Sequence, residues 1–440
     1  MDTLREEKRV LWLTYLLVCI VFLNVAFLSP AFDRGAAIMG VIICGLLAYS
    51  HFIIRRFFPD GDKYILIFSN ILAVIGLAML YRLDLPVAGG TYITDGSSIR
   101  TFLATKQIIF FTLGVAAFIL VVVILPDLKS FDKYKYFYLV VTLIFMSLGT
   151  FLGKEIYGAK NWVTIAGFSF QPSEFGKVSL VAYLASALKD YGKPSKFSKK
   201  IGSKVIKENS KLDDIVSLIE PAMVVMVSLA FMLLQTDLGS ALIFFSISLA
   251  MLYIATSKGK YVIIALVLFI FGAVAGYFLF GHVRTRVMIW QDPWKYGYDA
   301  GHQVVQSLIA IANGGFFGTG LGNGYPKFIP VIESDFIFSG ICEELGLLTG
   351  LAIIILYFLL FYRCIRAAIY AKDNFSRLLA VGYSTMIVSQ VLVIIGGVTG
   401  AIPLTGITLP LVSYGGSSIL ITYISLGIVQ KISEDGNSYE

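Results

Sequence analysis

The run YVIIALVLFIFGAVAGYFLFG, residues 261–281, decides the fold class because its 21 residues include no charged side chain. A helix of about 20 apolar residues is long enough to cross the hydrocarbon core of a bilayer. Eleven further runs of similar character lie on both sides of it. The sequence therefore predicts an all-α polytopic membrane protein with about twelve transmembrane helices. The predicted spans are residues 10–28, 36–54, 63–81, 105–125, 135–152, 171–188, 216–234, 239–256, 261–281, 336–362, 378–397 and 415–432.

The composition of the whole chain leads to the same fold class. Hydrophobic residues make up 57% of the 440 positions and charged residues only 14%, whereas a soluble domain carries about 25% charged residues. These values exclude a water-soluble globule and a disordered chain. The net charge of +7 is expected to reflect basic residues on one side of a bilayer, so no nucleic-acid partner is predicted. The four cysteines lie in or beside apolar runs and fit neither a disulfide framework nor a metal site.

The lysines and arginines predict the orientation of the chain in the membrane. With Met1 in the cytoplasm, the inner segments hold 24 of the 35 basic residues and the outer segments hold 9. This asymmetry follows the positive-inside rule and places both termini in the cytoplasm. The basic, serine-rich inner loop 189–215 is interpreted as a topology determinant attracted to anionic headgroups. The long outer loop 282–335 is of a length typical of functional loops.

Polar strings at the edges of the spans predict a cavity open to the outer side. Most of them place Gly or Pro beside polar residues, and irregular backbone at membrane depth is tolerated only where protein or a watery cavity covers it. The strings are GAKNW (158–162), QPSEFGK (171–177), QTDLGS (235–240), WQDPW (290–294), GHQVVQSLIAIANGG (301–315), ESDFIFSGICEELG (333–346) and PLTGITLPLVSYGGSS (403–418).

In this order, the strings resemble those of the SEDS family of cell-wall polymerases, represented by RodA, FtsW and SpoVE. The resemblance runs from about residue 63 to residue 431, and YRLD (81–84) is similar to the RodA-like branch. Members of the family typically have ten spans. The resemblance therefore implies a SEDS polymerase core over residues 63–440, preceded by a two-helix extension over residues 1–62. The chain departs from the family pattern at Asn161, His302 and Ile394, where the family commonly has Arg, Tyr and Asn.

The resemblance implies a peptidoglycan glycosyltransferase in the bacterial cytoplasmic membrane that acts during cell elongation or division. Its substrate would be lipid II, the undecaprenyl-pyrophosphate-linked disaccharide peptide, which it would polymerise into β-1,4 glycan strands at the outer face. A class B penicillin-binding protein, which is a transpeptidase, is the implied partner. The chemistry requires a carboxylate that takes the proton from the attacking hydroxyl. It also requires donors that stabilise the departing pyrophosphate.

Asp335 is the predicted catalytic base because it ends the long outer loop and directly precedes an apolar run. The family's catalytic Asp stands in the matching DFIF string. A helix N-cap is the alternative role for this side chain. Glu333, two residues earlier, is predicted to assist Asp335 or to contact the substrate.

Basic residues near the outer ends of spans are the predicted phosphate contacts, because arginine in particular matches phosphate geometry. Arg284 and Arg286 are two positions apart, so one of them is expected to act rather than both, and Arg286 is the choice. An internal ion pair with Glu174 is the alternative for Lys177. The predicted substrate-binding residues, besides Glu333, are Arg286, Arg284, Lys160, Lys177, Trp162 and Gln303.

Other ionisable residues receive different interpretations. Glu343 and Glu344 lie within an apolar span and are expected to form a structural pairing. The three histidines are scattered and predict no metal site, although a divalent cation (Mg or Mn) acting together with the pyrophosphate stays open. The run GGFFGTGLGNG (314–324) lacks the ending of a nucleotide-binding loop.

Two other functions remain open from the residues alone. A transporter, such as a lipid II flippase, fits the count of twelve spans, but carriers place ionisable groups near the midplane at a repeat interface, and no repeat is visible here. A non-catalytic scaffold for a transpeptidase is the second alternative. Synthesis of glycan chains by the purified protein would distinguish an enzyme from both.

Overall fold

Long apolar runs become helices because a chain in lipid must satisfy its backbone hydrogen bonds within each segment. The computed structural model describes residues 2–28, 32–85, 102–125, 127–156, 159–165, 168–192 and 210–437. The helices are α1 (Asp2–Phe27), α2 (Arg34–Phe57), α3 (Tyr64–Asp84), α4 (Leu103–Ile124), α5 (Lys135–Leu152), α6 (Pro172–Leu188), α7 (Ser210–Leu234), α8 (Leu238–Thr256), α9 (Gly259–Leu279), α10 (Gly281–Gln291), α11 (His302–Gly314), α12 (Ile337–Ile369), α13 (Asn374–Val398) and α14 (Gly416–Asn437).

Each of the twelve predicted spans corresponds to a helix. Within the described residues, ten helices are long and apolar enough to cross a membrane, namely α1 to α5, α7 to α9, α12 and α13. The two remaining predicted spans are α6, with 17 residues, and α14. Helix α14 is more polar because its buried face carries Thr422, Ser425 and Gln430. The prediction of an all-α polytopic membrane protein is confirmed.

Helices α3 and α13 form the centre of the bundle. In each of them, 78% of the most apolar window is buried inside the protein, whereas the corresponding share for α9 is 6%. Helix α13 packs against α6, α8, α12 and α14, and α4 packs along α14. Helices α1 and α2 form a hairpin that packs against α3. Most of the surface of α9 is therefore left to face lipid.

A small antiparallel sheet lies between α5 and α6, which the all-α prediction did not include. Its strands are β1 (Lys154–Ile156), β2 (Ala159–Ile165) and β3 (Phe168–Phe170), in the order β1-β2-β3. Val163 of β2 pairs with Phe170 of β3. The strands are too short to give a clear alternating pattern, so the sequence showed only the polar string GAKNW at this place. We call the side of the protein that carries residues 282–335 the outer side, following the charge prediction.

The long outer segment 282–335 contains α10, α11 and two short 3-10 turns. Helix α12 follows it and is interrupted at Gly346, whose φ of 83° and ψ of 167° are not helical. Glycine adopts this backbone conformation at little cost. The segment before α12 satisfies the backbone groups freed by the break, as Leu347 N donates to Gly315 O (2.9 Å) and Thr319 N donates to Glu343 O (3.0 Å). The glycine-rich run, residues 314–324, therefore allows its backbone to pack closely against α12.

The basic inner loop is shorter than predicted at its C-terminal end. Helix α6 ends at Leu188 and α7 already begins at Ser210, whereas the sequence predicted a loop over residues 189–215. Residues 193–209, which hold most of its lysines, lie outside the described residues.

Candidate active site

Asp335 lies at the outer end of the bundle, directly before α12. The residue in the N-cap position is Phe336, which makes no side-chain capping bond, so the alternative role of Asp335 as a cap is not observed. The Asp335 carboxylate instead accepts a hydrogen bond from Ser334 Oγ at 2.9 Å. This arrangement leaves its second oxygen, Oδ2, directed toward neighbouring loops.

The surroundings of Asp335 change its protonation equilibrium. Burial raises the pKa of Asp335 to about 6, and the nearby carboxylates of Glu333 and Asp237 act in the same direction. The hydrogen bond from Ser334 and the positive charge of Arg286 oppose this rise. A general base is most effective when its pKa lies near the working pH. The Asp335 carboxyl therefore suits proton abstraction better than an exposed aspartate does.

Among the predicted phosphate contacts whose side chains the structure describes, Arg286 is the cation whose charge acts on this carboxylate. It lies on α10 and donates a hydrogen bond from Nη1 to Leu404 O at 2.6 Å. A Cβ atom on Gly406 would lie 3.5 Å from Asp335 Oδ2 and 3.8 Å from Arg286 Nη2. The absence of a side chain at Gly406, whose φ is 71°, thus leaves space between carboxylate and guanidinium. Arg284, by contrast, is exposed.

The loop between α13 and α14, residues 399–415, holds the segment that carries Asp335. Tyr414 N donates to Glu333 O at 2.8 Å, and Ser413 Oγ donates to Ser334 O. The side chain of Gln107 on α4 holds this loop in turn, with bonds to Ser413 O (3.1 Å) and Gly415 N (3.2 Å). Both residues before Asp335 are therefore held by the PLTGITLPLVSYGGSS string.

Asp237 is a second carboxylate of the site, and no role is predicted for it from the sequence, although it lies in the string QTDLGS. It accepts hydrogen bonds from Ser240 N at 2.9 Å, Gln171 Nε2 at 3.1 Å and Asn161 Nδ2 at 3.3 Å. Asn161 stands where the family commonly has Arg, so this chain places an amide rather than a cation on Asp237. An acidic residue beside Gly at a span edge was the signal that could have identified it.

The structure favours the alternative role of Lys177, which is an internal ion pair with Glu174. Its side chain is only 1% exposed, and Nζ lies 2.9 Å from Glu174 Oε1 and 2.9 Å from Gln390 Oε1. Gln390 Nε2 donates to Thr408 O at 2.9 Å. This buried network joins α6, α13 and the α13–α14 loop, and it favours a structural ion pair over a phosphate contact.

The other predicted substrate contacts are not joined to Asp335 by any recorded bond within the described part of the chain. Trp162 is half-buried in β2 and Gln303 is half-buried at the start of α11. Lys160 belongs to β2, but its side chain lies outside what the structure describes. Glu333 lies two residues before Asp335 in the chain, and its charge raises the pKa of Asp335. The roles of Trp162, Gln303 and Lys160 stay predictions.

Glu343 and Glu344 are buried in α12, the helix that follows Asp335. Glu344 Oε1 lies 2.8 Å from Arg82 Nη2, with side-chain exposures of 0% and 3%. Its other oxygen accepts from Gly322 N at 3.2 Å, and Glu343 Oε1 accepts from Tyr325 N at 3.1 Å. The expected structural pairing is thus observed for Glu344, with Arg82 of the YRLD string as the partner, whereas Glu343 accepts hydrogen bonds from neutral donors.

A resident metal is not assigned to the site. Among the described residues, no group of three or more His, Cys, Asp and Glu side chains is arranged to hold an ion. The question of a divalent cation that arrives with a pyrophosphate is left open by this observation.

Comparison with known proteins places these features in one family. The sequence model FTSW_RODA_SPOVE, described as cell cycle protein, matches residues 62–438. The chain is 39% identical to the peptidoglycan glycosyltransferase RodA of Mycobacterium leprae, covering 90% of this chain and 82% of that protein. It is 31% identical to stage V sporulation protein E of Bacillus subtilis, covering 84% and 96%.

Solved structures share the fold. A chain from a structure described as the coordination of polymerization and crosslinking by a peptidoglycan synthase complex has a TM-score of 0.66 and 25% identity, covering 85% of this chain and 98% of that one. The rod shape determining protein RodA of Thermus thermophilus has a TM-score of 0.58 and 24% identity, covering 86% and 97%.

Proposed function

The chain belongs to the FtsW, RodA and SpoVE family, and from this premise we propose that it is a peptidoglycan glycosyltransferase that polymerises lipid II, with Asp335 as the general base. The observation that carries this proposal is that the Asp335 carboxylate and the Arg286 guanidinium both lie within 4 Å of the position that a Cβ atom on Gly406 would take. Relatives that cover most of the chain bear the name of this activity. A proton acceptor and a cation at one site are what glycosyl transfer from a pyrophosphate donor requires.

The reaction uses the ionised form of Asp335. The carboxylate takes the proton from the 4-hydroxyl of the acceptor GlcNAc while that oxygen bonds to C1 of the donor MurNAc. The bond from C1 to the pyrophosphate oxygen breaks, and its electron pair leaves with undecaprenyl pyrophosphate. The protonated Asp335 then returns its proton to water. Because the pKa of Asp335 is about 6, the carboxylate is mostly ionised at neutral pH and still a useful proton acceptor.

Arg286 stabilises the negative charge that develops on the leaving pyrophosphate. Its Nη1 is occupied by Leu404 O, while Nη2 faces the space beside Gly406. A fixed donor directed at a developing charge acts without having to reorganise during the reaction. Glu333 is proposed to tune Asp335 through its charge.

We further propose the setting of this activity. Residues 1–61 precede the region that the family model matches, and residues 1–62 form the proposed two-helix extension. The charge asymmetry supports cytoplasmic termini in the bacterial inner membrane. A class B penicillin-binding protein is the proposed partner, since a structural relative belongs to a complex named for polymerization and crosslinking. Labelling of single cysteines introduced at Ser438 and in the outer segment by a membrane-impermeant reagent tests the orientation.

The experiment for the activity uses the purified full-length protein and labelled lipid II, with and without a class B penicillin-binding protein. We expect glycan chains from the parent and none from Asp335→Asn, which keeps the shape of the side chain but accepts no proton. Movement of lipid II across vesicles without polymer would favour a transporter. Absence of both activities, with the partner present, would favour a scaffold.

A further inference from the structure

Helix α10, which carries Arg286, is not held in place by buried packing. None of its residues from Gly281 to Gln291 is buried. Two of its side chains instead donate hydrogen bonds to carbonyl oxygens of the α13–α14 loop: Arg286 Nη1 to Leu404 O at 2.6 Å and Trp290 Nε1 to Gly400 O at 2.9 Å. Residues four apart lie on one face of a helix. The two bonds therefore attach the same face of α10 to the same loop.

Gly400 O, which accepts the hydrogen bond from the Trp290 indole, is well suited to hold α10 in place. Gly400 directly follows Thr399, the C-terminal capping residue of α13, where helix carbonyls lack donors within the helix. The backbone there is fixed by bonds from Thr399 N to Ile395 O (3.0 Å) and from Ala401 N to Gly396 O (2.8 Å). Since 78% of the most apolar window of α13 is buried inside the protein, Gly400 offers α10 a rigid attachment point.

We propose that Trp290 is a positioning residue, whose indole N–H anchors α10 on Gly400 and thereby holds the Arg286 guanidinium beside Asp335. This inference rests on the proposed function for its catalytic consequence, but the anchoring itself does not. Burial in the protein interior does not explain why a tryptophan stands at this position, because the Trp290 side chain is 40% exposed.

A tryptophan at a membrane interface also has a general role as an interfacial anchor. Trp294 satisfies that role equally well, since it is 62% exposed and lies four residues further along the outer segment. The directed bond to Gly400 is what distinguishes Trp290. Trp294 is therefore the matched control.

The test compares Trp290→Phe, which keeps an aromatic ring but loses the donor, with Trp294→Phe. The first measurement is hydrogen–deuterium exchange of peptides covering residues 281–291 in the full-length protein, and it requires no activity. We expect faster exchange in Trp290→Phe and unchanged exchange in Trp294→Phe. Equal exchange in the parent and Trp290→Phe would overturn the anchoring, whatever the protein polymerises.

The second measurement is polymerisation at saturating lipid II. Loss of one neutral hydrogen bond corresponds to a factor of roughly two to ten, so kcat of Trp290→Phe should fall by that factor while Trp294→Phe matches the parent. In an Arg286→Ala background, Trp290→Phe should have no further effect, because the indole acts through Arg286. A loss of the same factor in both backgrounds would contradict the inference.

The third measurement is the pH dependence of kcat/KM, which a purely structural role of Trp290 would leave unchanged. Asp335 faces Arg286 from α10, Asp237 from the start of α8, and Glu333 and Ser334 from its own segment, while His282 also faces Arg286. Arg286 lowers the pKa of Asp335, so its displacement in Trp290→Phe should shift the acid limb of kcat/KM to higher pH. An unshifted limb would contradict positioning of Arg286. An inactive parent would refute the proposed function instead, and the exchange measurement would still decide the anchoring.

Discussion

At the scale of single residues, the structure distinguishes Arg286 from Arg284 by exposure and by contacts. Arg284 is exposed, whereas Arg286 reaches Leu404 O and the space beside Gly406. Arg286→Ala should lower turnover at saturating lipid II by at least about tenfold, since loss of one preorganised donor costs roughly 10²–10³-fold in other enzymes. Arg286→Lys should restore part of the rate by keeping the charge. Arg284→Ala is the control and should run near the parental rate; the opposite ranking would refute this assignment.

The raised pKa of Asp335 predicts a pH dependence with a definite sign. The reaction needs the carboxylate, and the pKa of about 6 means that the carboxylate is lost as the pH falls through 6. We expect kcat/KM, measured from pH 4.5 to 8, to fall tenfold per unit below about pH 6. Glu333→Gln removes a charge that raises this pKa, so its acid limb should move to lower pH. A flat profile across pH 6 would exclude Asp335 as the titrating base.

Residue-level prediction from sequence is possible where a single position carries its own signal. Asp335 combines a family string with a place at the start of a span, and Arg286 is a cation on the outer side; the structure places both side chains near Gly406, and their catalytic roles stay predictions. Gln107 carries no such signal, because its role depends on contacts with residues far away in the chain. The alternatives for Lys177 could be separated only by burial, which its sequence neighbours do not determine.

At the scale of elements, the Arg82–Glu344 pair joins α3 to the upper part of α12. Both side chains are almost fully buried, and removing one partner of a buried ion pair typically costs about 3–5 kcal/mol because the other charge is left unpaired. Arg82→Ala should therefore lower the free energy of unfolding by roughly this amount, measured as thermal or denaturant unfolding in detergent.

The matched control for this prediction is the more accessible pair of Lys431 and Asp435, whose nitrogen and oxygen lie 3.2 Å apart with side-chain exposures of 17% and 27%. Lys431→Ala should cost about 1 kcal/mol or less, as pairs near solvent do. Equal losses in the two variants would show that the Arg82–Glu344 pair does not join the helices more strongly than a surface pair does.

The existence of the long helices was predictable because apolar length alone specifies a span. The break in α12 was not, since Gly346 lies in an apolar run and its conformation is compensated by residues 315–320 through backbone bonds. The strands β1 to β3 were also missed. The break in α12 and the three strands both depend on backbone hydrogen bonds between segments, and side-chain periodicity does not reveal such bonds.

At the scale of the whole molecule, the N-terminal hairpin of α1 and α2 packs against α3, and we predict that it takes no part in catalysis. Val25, Ala26 and Ala36 pack with Leu85, and Leu28 lies against Gly322. A truncation that lacks residues 1–62 should therefore keep measurable polymerisation and show a lower melting temperature. Complete loss of activity in a truncation that is still well folded, as judged by size-exclusion chromatography and circular dichroism, would contradict this.

The break at Gly346 has a consequence for how the protein is made. The part of α12 after the break rises by roughly 35 Å at 1.5 Å per residue, which by itself exceeds the hydrocarbon thickness of about 30 Å. The insertion machinery can therefore release residues 347–369 into lipid as a complete span. The two glutamates before the break never need to enter hydrocarbon, and they can meet Arg82 and the glycine-rich run after translocation. Gly346 thus separates the apolar segment that acts as the insertion signal from the segment whose contacts form after translocation.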